Sequence, residues 1–119
     1  MLFRSGAGNH HPFPVASAAF RNVPANAFRI LLYHRPLPAA IGAEAADVRL
    51  QLSGHTHGGA MPGVRCLVAH ANEGHVRGLY EFAPGRFLYV SPGTGQWAGF
   101  PLRLFTPSEI TEIILRKRD

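Results

Sequence analysis

Two short apolar runs, FRILLY at residues 28–33 and VRLQLS at residues 48–53, flank an Ala-rich stretch broken by Pro36, Pro38 and Gly42. No other feature limits the possible folds as much. FRILLY has the length and partly β-branched content of a buried strand, and Pro36 ends it. Val48, Leu50 and Leu52 alternate, as in a strand with one buried face. Between the runs, Leu37, Ala40, Ile41 and Ala45 fall on a rough helical spacing, which predicts a short helix weakened by Gly42. Strand, helix and strand in so short a span make a βαβ unit, with parallel strands and a right-handed crossover. The expected class is therefore α/β.

The rest of the chain is punctuated rather than periodic. Residues 1–27 carry no helix or strand period beyond a helical turn expected near residues 16–20, so they read as a poorly patterned N-terminal segment ahead of a domain over residues 28–119. Residues 54–67 (GHTHGGAMPGVRCL) read as a Gly-rich loop. RGLYEF (77–82) and RFLYVS (86–91) flank a turn-length APG and predict a β-hairpin. EITEIILR (109–116) predicts a final β-strand. Gly and Pro number 13 and 10 of 119 residues, but they sit between apolar runs and read as turns.

Composition excludes several function classes. A chain that is 46% hydrophobic and 16% charged is not a disordered polyampholyte. One Cys excludes an intrachain disulfide framework and a Cys-rich zinc module. No apolar run reaches the roughly 18 residues of a membrane span, and the N-terminus has no secretory apolar core. The net charge is +5, and the basic residues, eleven Arg and one Lys, are scattered and cluster only at residues 116–118. No dedicated nucleic-acid motif accompanies it. Cys66, within VRCLV, reads as a buried small residue. Trp97 reads as an anchor for its Gly-rich loop, and Tyr80 and Tyr89 as packing residues of the hairpin. His70 and His75 read as solvated, and Gly93-Thr94-Gly95 lacks the Lys-Ser/Thr of a phosphate loop.

Seven His is a high count for this length. Three of them stand just past strand ends: His34 after FRILLY, and His55 and His57 after VRLQLS. Ligands of open α/β sheets bind at the carboxyl ends of strands, where these three project. Gly54 would turn the backbone off the strand, and Gly58 and Gly59 would keep bulk away from a ligand. A His-x-His pair can send both rings to one side or split them between two adjacent metals. A bare pair is weak evidence, since chance supplies roughly 0.4 such pairs here. The strand-end context and the upstream His34 give it weight.

These residues resemble a known family. ILLYHRP, then VRLQLSGHTHGG, RGLY, LYVSPGTGQW and PLRLFTPSEITEIIL, look like the C-terminal half of the calcineurin-like metallophosphoesterases, closest to a bacterial branch carrying Leu-Ser-Gly-His-Thr-His-Gly-Gly. The resemblance covers residues 24–119. It implies part of a four-layer α/β/β/α sandwich: one βαβ unit, a hairpin and a final strand. It implies His34, His55 and His57 as metal ligands, with His55 and His57 contributing one to each of two metals. It implies divalent metal cofactors (Zn, Mn or Fe), two in the intact family and one within reach of three neutral imidazoles. It implies a phosphate mono- or diester as substrate, hydrolysed by a metal-activated water.

The departures from the pattern bear on activity. The family's Asp-x-His and Gly-Asp motifs, which supply the bridging aspartate, are absent, and Asp47 is the one Asp before His55. Gly8-Asn9-His10-His11 matches three letters of the family's Gly-Asn-His-Asp/Glu motif. Two dications about 3.5–4 Å apart need anionic ligands between them. The expectation is an N-terminally truncated phosphoesterase, weakly active or inactive alone. Its uncovered strand edges would be met by a missing N-terminal half or by self-association. The chain as it stands would be cytoplasmic, although enzymes of this branch often carry a membrane anchor. The alternative is a non-catalytic metal-binding or partner-binding remnant.

Overall fold

The computed structural model describes residues 20, 22–38, 47–96 and 103–116. Four strands form one mixed sheet: β1 (Arg29–Leu32), β2 (Val48–Ser53), β3 (Gly78–Ala83) and β4 (Arg86–Val90), in the order β1-β2-β4-β3. The expected parallel pairing is present, with Ile30 opposite Leu50 and Leu32 opposite Leu52. The expected hairpin is also present, with Leu79 opposite Tyr89 and Glu81 opposite Phe87. Its turn runs through Pro84 and Gly85, where φ is +67°. The returning strand β4 lies parallel to β2, with Leu52 opposite Tyr89 and Ser53 opposite Val90. This placement makes β2 and β4 the central strands and puts the carboxyl ends of β1, β2 and β4 together. The helix expected around residues 37–46 falls mostly outside the described residues, as do the turn near residues 16–20, Trp97, Asn9 and His10.

The core follows from that order. Val48, Leu50, Leu88 and Val90 on the two central strands are buried, and Leu31 joins Val48 with Phe20 and Tyr33 packed against them. Burying a side chain such as Leu88 stabilises the fold by about 1.5–3 kcal/mol. The alternation of β2 is imperfect, because Gln51 is also buried, at 1% exposure. Its Nε2 donates to Ser53 Oγ at 2.9 Å and to Arg35 O at 3.2 Å. A buried amide is tolerated when its hydrogen bonds are made, and this one ties β2 to the segment that carries His34.

Three expectations are corrected. The Gly-rich stretch is not loop throughout: Pro62–Ala71 form helix α1. Pro at the helix start is favourable because its missing N–H would be unpaired there anyway. Val64, Leu67, Val68 and Ala71 then recur on one face. Cys66 is accordingly exposed on α1 rather than buried. Residues 109–116 are not a strand. The segment makes no ladder with any described strand, the edge strands β1 and β3 included. It is held instead by Glu109 N donating to Gly93 O and by the Tyr89 hydroxyl meeting Glu109 and Thr111. Ile110 and Ile114 are left exposed. Among the described residues, no helix is long and apolar enough to cross a membrane.

Candidate metal centre

β1 and β2 run in parallel and in register, so their carboxyl ends deliver His34 and His55 to one place. The backbone continues the pairing past both strands: Tyr33 N donates to Leu52 O, and Gly54 N donates to His34 O. The rings meet edge to face, with centroids 4.8 Å apart and His55 Nδ1 3.0 Å from His34 Nε2. His57 is not drawn into the pair. It is half-buried at the start of a short 3-10 turn, His57–Gly59. Among the described residues, no three His, Cys, Asp or Glu side chains converge as a metal cage.

The Gly-His-Thr-His-Gly-Gly loop owes its shape to its own neighbours. The sharp turn is made at His55 (φ +71°) and His57 (φ +48°) rather than at Gly54. Histidine enters this left-handed region more readily than most side chains, but at a cost. Thr56 between them is 4% exposed; its hydroxyl donates to Val76 O at 2.6 Å and accepts from Gly58 N. A Cβ on Gly58 would lie 2.3 Å from Thr106 Cγ2, and one on Gly59 would lie 2.9 Å from Arg65 Cβ. These glycines therefore admit the protein's own chain, not a ligand.

Burial is the largest influence on His55, and with His34, Arg35 and His57 nearby it holds the imidazole below the usual histidine range. In the pair as it stands one ring's N–H donates to the other's lone pair, and a metal ion would take the place of that proton. Two nitrogens bound side by side to one metal at about 2.0–2.1 Å stand roughly 2.9–3.4 Å apart. The His34–His55 separation fits that bite. Among the described residues, the donor set does not extend to a carboxylate: Asp47 is paired with Arg29 on the strand-start side of the sheet.

Sequence reasoning missed several residues that shape this region. Arg103, counted among scattered basic residues, donates to the carbonyls of Pro92, Gly93, Gly95, Thr106 and Pro107. It thereby places Thr106, whose hydroxyl donates to Gly58 O at 3.3 Å. Asn72 ends α1 and is 3% exposed. A cleft of about 290 Å³ lies between the His loop and α1. Its only forewarning was the spacing of Val64, Leu67, Val68 and Ala71.

Comparison with known proteins brings in curated relatives. The chain is 43% identical over 88 residues to a bovine (Bos taurus) transmembrane protein with metallophosphoesterase domain, covering 73% of this chain and 19% of that protein. It is 45% identical over 87 residues to an uncharacterised metallophosphoesterase of Campylobacter jejuni, covering 73% and 22%. A third, from Aquifex aeolicus and also called an uncharacterised metallophosphoesterase, is 37% identical over 97 residues, covering 81% and 36%. The chain thus spans about a fifth to a third of the length of these relatives, which come from animals as well as bacteria. No protein-family model matches, and no solved structure matches.

Proposed function

The chain belongs to the calcineurin-like metallophosphoesterase family, and from that premise we propose that it carries the imidazole side of a phosphate-ester hydrolysis site. The observation that supports this most directly is the 3.0 Å approach of His34 Nε2 to His55 Nδ1 from two adjacent strand ends. In this reading His34 and His55 hold one divalent metal ion, and His57, on the far side of Thr56, serves a second. Such an ion, when bound, polarises a phosphoryl oxygen and acidifies a coordinated water. The protein's own part is to hold neutral imidazoles at a fixed spacing. Neither His34 nor His55 has to be drawn out of a packed interior to do so. Residues 28–119 would form the corresponding portion of the four-layer sandwich.

Among the described residues, no carboxylate stands beside the His pair. That favours weak turnover from this chain alone, or none, with metal binding retained. The same observation supports the second reading, a non-catalytic metal-binding module. Cobalt(II) titration followed by visible absorbance tests the shared premise: the wild type should develop ligand-field bands, and His34→Ala and His55→Ala should each weaken binding at least tenfold. Unchanged binding in both variants would remove the metal centre. Metal-dependent hydrolysis of bis(4-nitrophenyl) phosphate then separates enzyme from binding module.

A further inference from the structure

We propose that Gln51 and Ser53 are the positioning residues of the His34–His55 pair: together they grip the backbone beside His34 and so set the spacing at which the two rings are offered to a metal ion. The inference rests on the phosphoesterase reading for what the pair holds, and adds to it the residues that keep the pair in place.

Backbone pairing alone runs out at His34. Tyr33 N donates to Leu52 O and Gly54 N donates to His34 O, both at 3.1 Å. Two residues past His34 stands Pro36, which has no N–H to continue a ladder. Side chains of β2 take over at the carbonyl between them. Gln51 Nε2 donates to Arg35 O at 3.2 Å, and Ser53 Oγ donates to it at 3.4 Å. The same carbonyl accepts from Leu37 N at 3.0 Å within its own turn. Residues 33–35 are thus tied to residues 51–54 on both sides of His34, and His55 follows at once.

Gln51 stands where an apolar residue would be expected. In the sheet register it lies between Leu31 of β1 and Leu88 of β4, both buried, and it is itself 1% exposed. A leucine or methionine would fill that place without the cost of desolvating an amide. What the amide adds is direction. One Nε2 hydrogen goes to Arg35 O and the other to Ser53 Oγ at 2.9 Å, two residues further along the same face of β2. Ser53, also buried, accepts from Gln51 and donates to Arg35, which closes a small ring of hydrogen bonds. Both residues act through the backbone beside His34. Hydrogen bonds of this supporting kind orient metal ligands, and their loss lowers metal affinity.

The test replaces Gln51 by methionine, which keeps length and burial and removes both donors. Cobalt(II) titration of the full Gln51→Met chain should show binding weakened about tenfold. Ser53→Ala removes the weaker donor and should cost about threefold; it carries the test if Gln51→Met does not fold in urea-unfolding controls. In a His34→Ala background either substitution should change cobalt affinity less than about twofold, because its effect runs through His34. A merely structural role would weaken the remaining binding equally in both backgrounds. Imidazole ¹⁵N shifts of the metal-free chain give a second readout. Those of His34 and His55 should move toward free-histidine values in Gln51→Met, while those of His75 stay in place. Wild-type cobalt affinity in both variants, or equal losses with and without His34, would overturn the proposal. Absent cobalt bands in the wild type, with ring shifts that still respond to Gln51→Met, would defeat the metal centre alone. Cobalt binding and ring shifts both unmoved by the substitutions would defeat the positioning role alone.

Discussion

Gly58→Ala isolates the stereochemistry that shapes the His loop. At φ +66° an alanine pays about 1–2 kcal/mol for the left-handed backbone. Its Cβ would also lie 2.3 Å from Thr106 Cγ2 and 3.1 Å from Pro92 Cβ. Overpacking of that kind costs about 1–3 kcal/mol. The expected loss is therefore about 2–5 kcal/mol, a large share of a small domain's stability. The two parts can be separated. Thr106→Ser removes the offending methyl and keeps the hydroxyl that donates to Gly58 O. In the double variant the steric part should return, a coupling of about 1–3 kcal/mol, while the backbone part persists. Gly54→Ala is the control, since its Cβ would meet nothing within 4 Å and its backbone is not left-handed. Urea unfolding followed by far-ultraviolet circular dichroism gives the stabilities of the wild type, both single variants, the double variant and the control. A Gly58→Ala loss below about 0.5 kcal/mol, or a double variant as unstable as the single one, would refute the packing argument.

Two further expectations follow from named contacts. Arg103→Lys replaces a planar five-donor group by three donors on a point charge, leaving at least two of the five carbonyls to water. We expect a loss of about 1–3 kcal/mol in thermal unfolding and faster hydrogen exchange at the Leu104 amide, which donates to Ala60 O; an unaltered exchange rate would count against the bracing role. The Tyr89–Glu109 contact should hold across a window of pH. Hydrogen bonds from Thr111 and then Tyr89 hold the Glu109 carboxyl below the usual range, so its contribution is present above the unfolded carboxylate pKa and fades as pH falls through the lowered value. Burial, and then the bond to Glu109, raise the Tyr89 hydroxyl, so its contribution is present below about pH 10 and is lost as pH rises through the raised value. Tyr89 ring shifts in a pH titration should mark both limits, and a flat profile from acid to pH 7 would contradict the first.

The parallel pair and the hairpin were legible because each rests on local pattern: short β-branched runs, alternation, and a Gly at the turn. Helix α1 was hidden by its own start. Gly58, Gly59, Pro62 and Gly63 read as loop, yet Pro62 occupies the one helical turn that tolerates it, and the apolar spacing from Val64 onward was helical. Residues 109–116 erred in the opposite direction. Their β-branched content signals a strand, but contacts to Gly93 and Tyr89 hold the segment instead of a ladder, and β-propensity cannot report such tertiary contacts. His34 and His55 were legible as a pair because strand-end position and parallel register together determine where two side chains meet. The left-handed turns at His55 and His57 were not legible, because no residue pattern announces them.

Those turns explain why so much of the surrounding chain converges on six residues. Two non-glycine residues at positive φ, on either side of one threonine, persist only where neighbours leave the loop no easier conformation. The Thr56 hydroxyl fastens the loop to Val76, just ahead of β3. Ser91 N, beyond β4, donates to Ser53 O at the loop's entrance. Arg65 of α1 fills the space that a side chain on Gly59 would need, and Thr106 fills that beside Gly58. Each clamp comes from a different element, so no single segment could relax and release the strain. Among the described residues, His57 does not complete a three-residue cluster with His34 and His55. The shape of the loop is set by four neighbours, Val76, Ser91, Arg65 and Thr106, as much as by its own six residues.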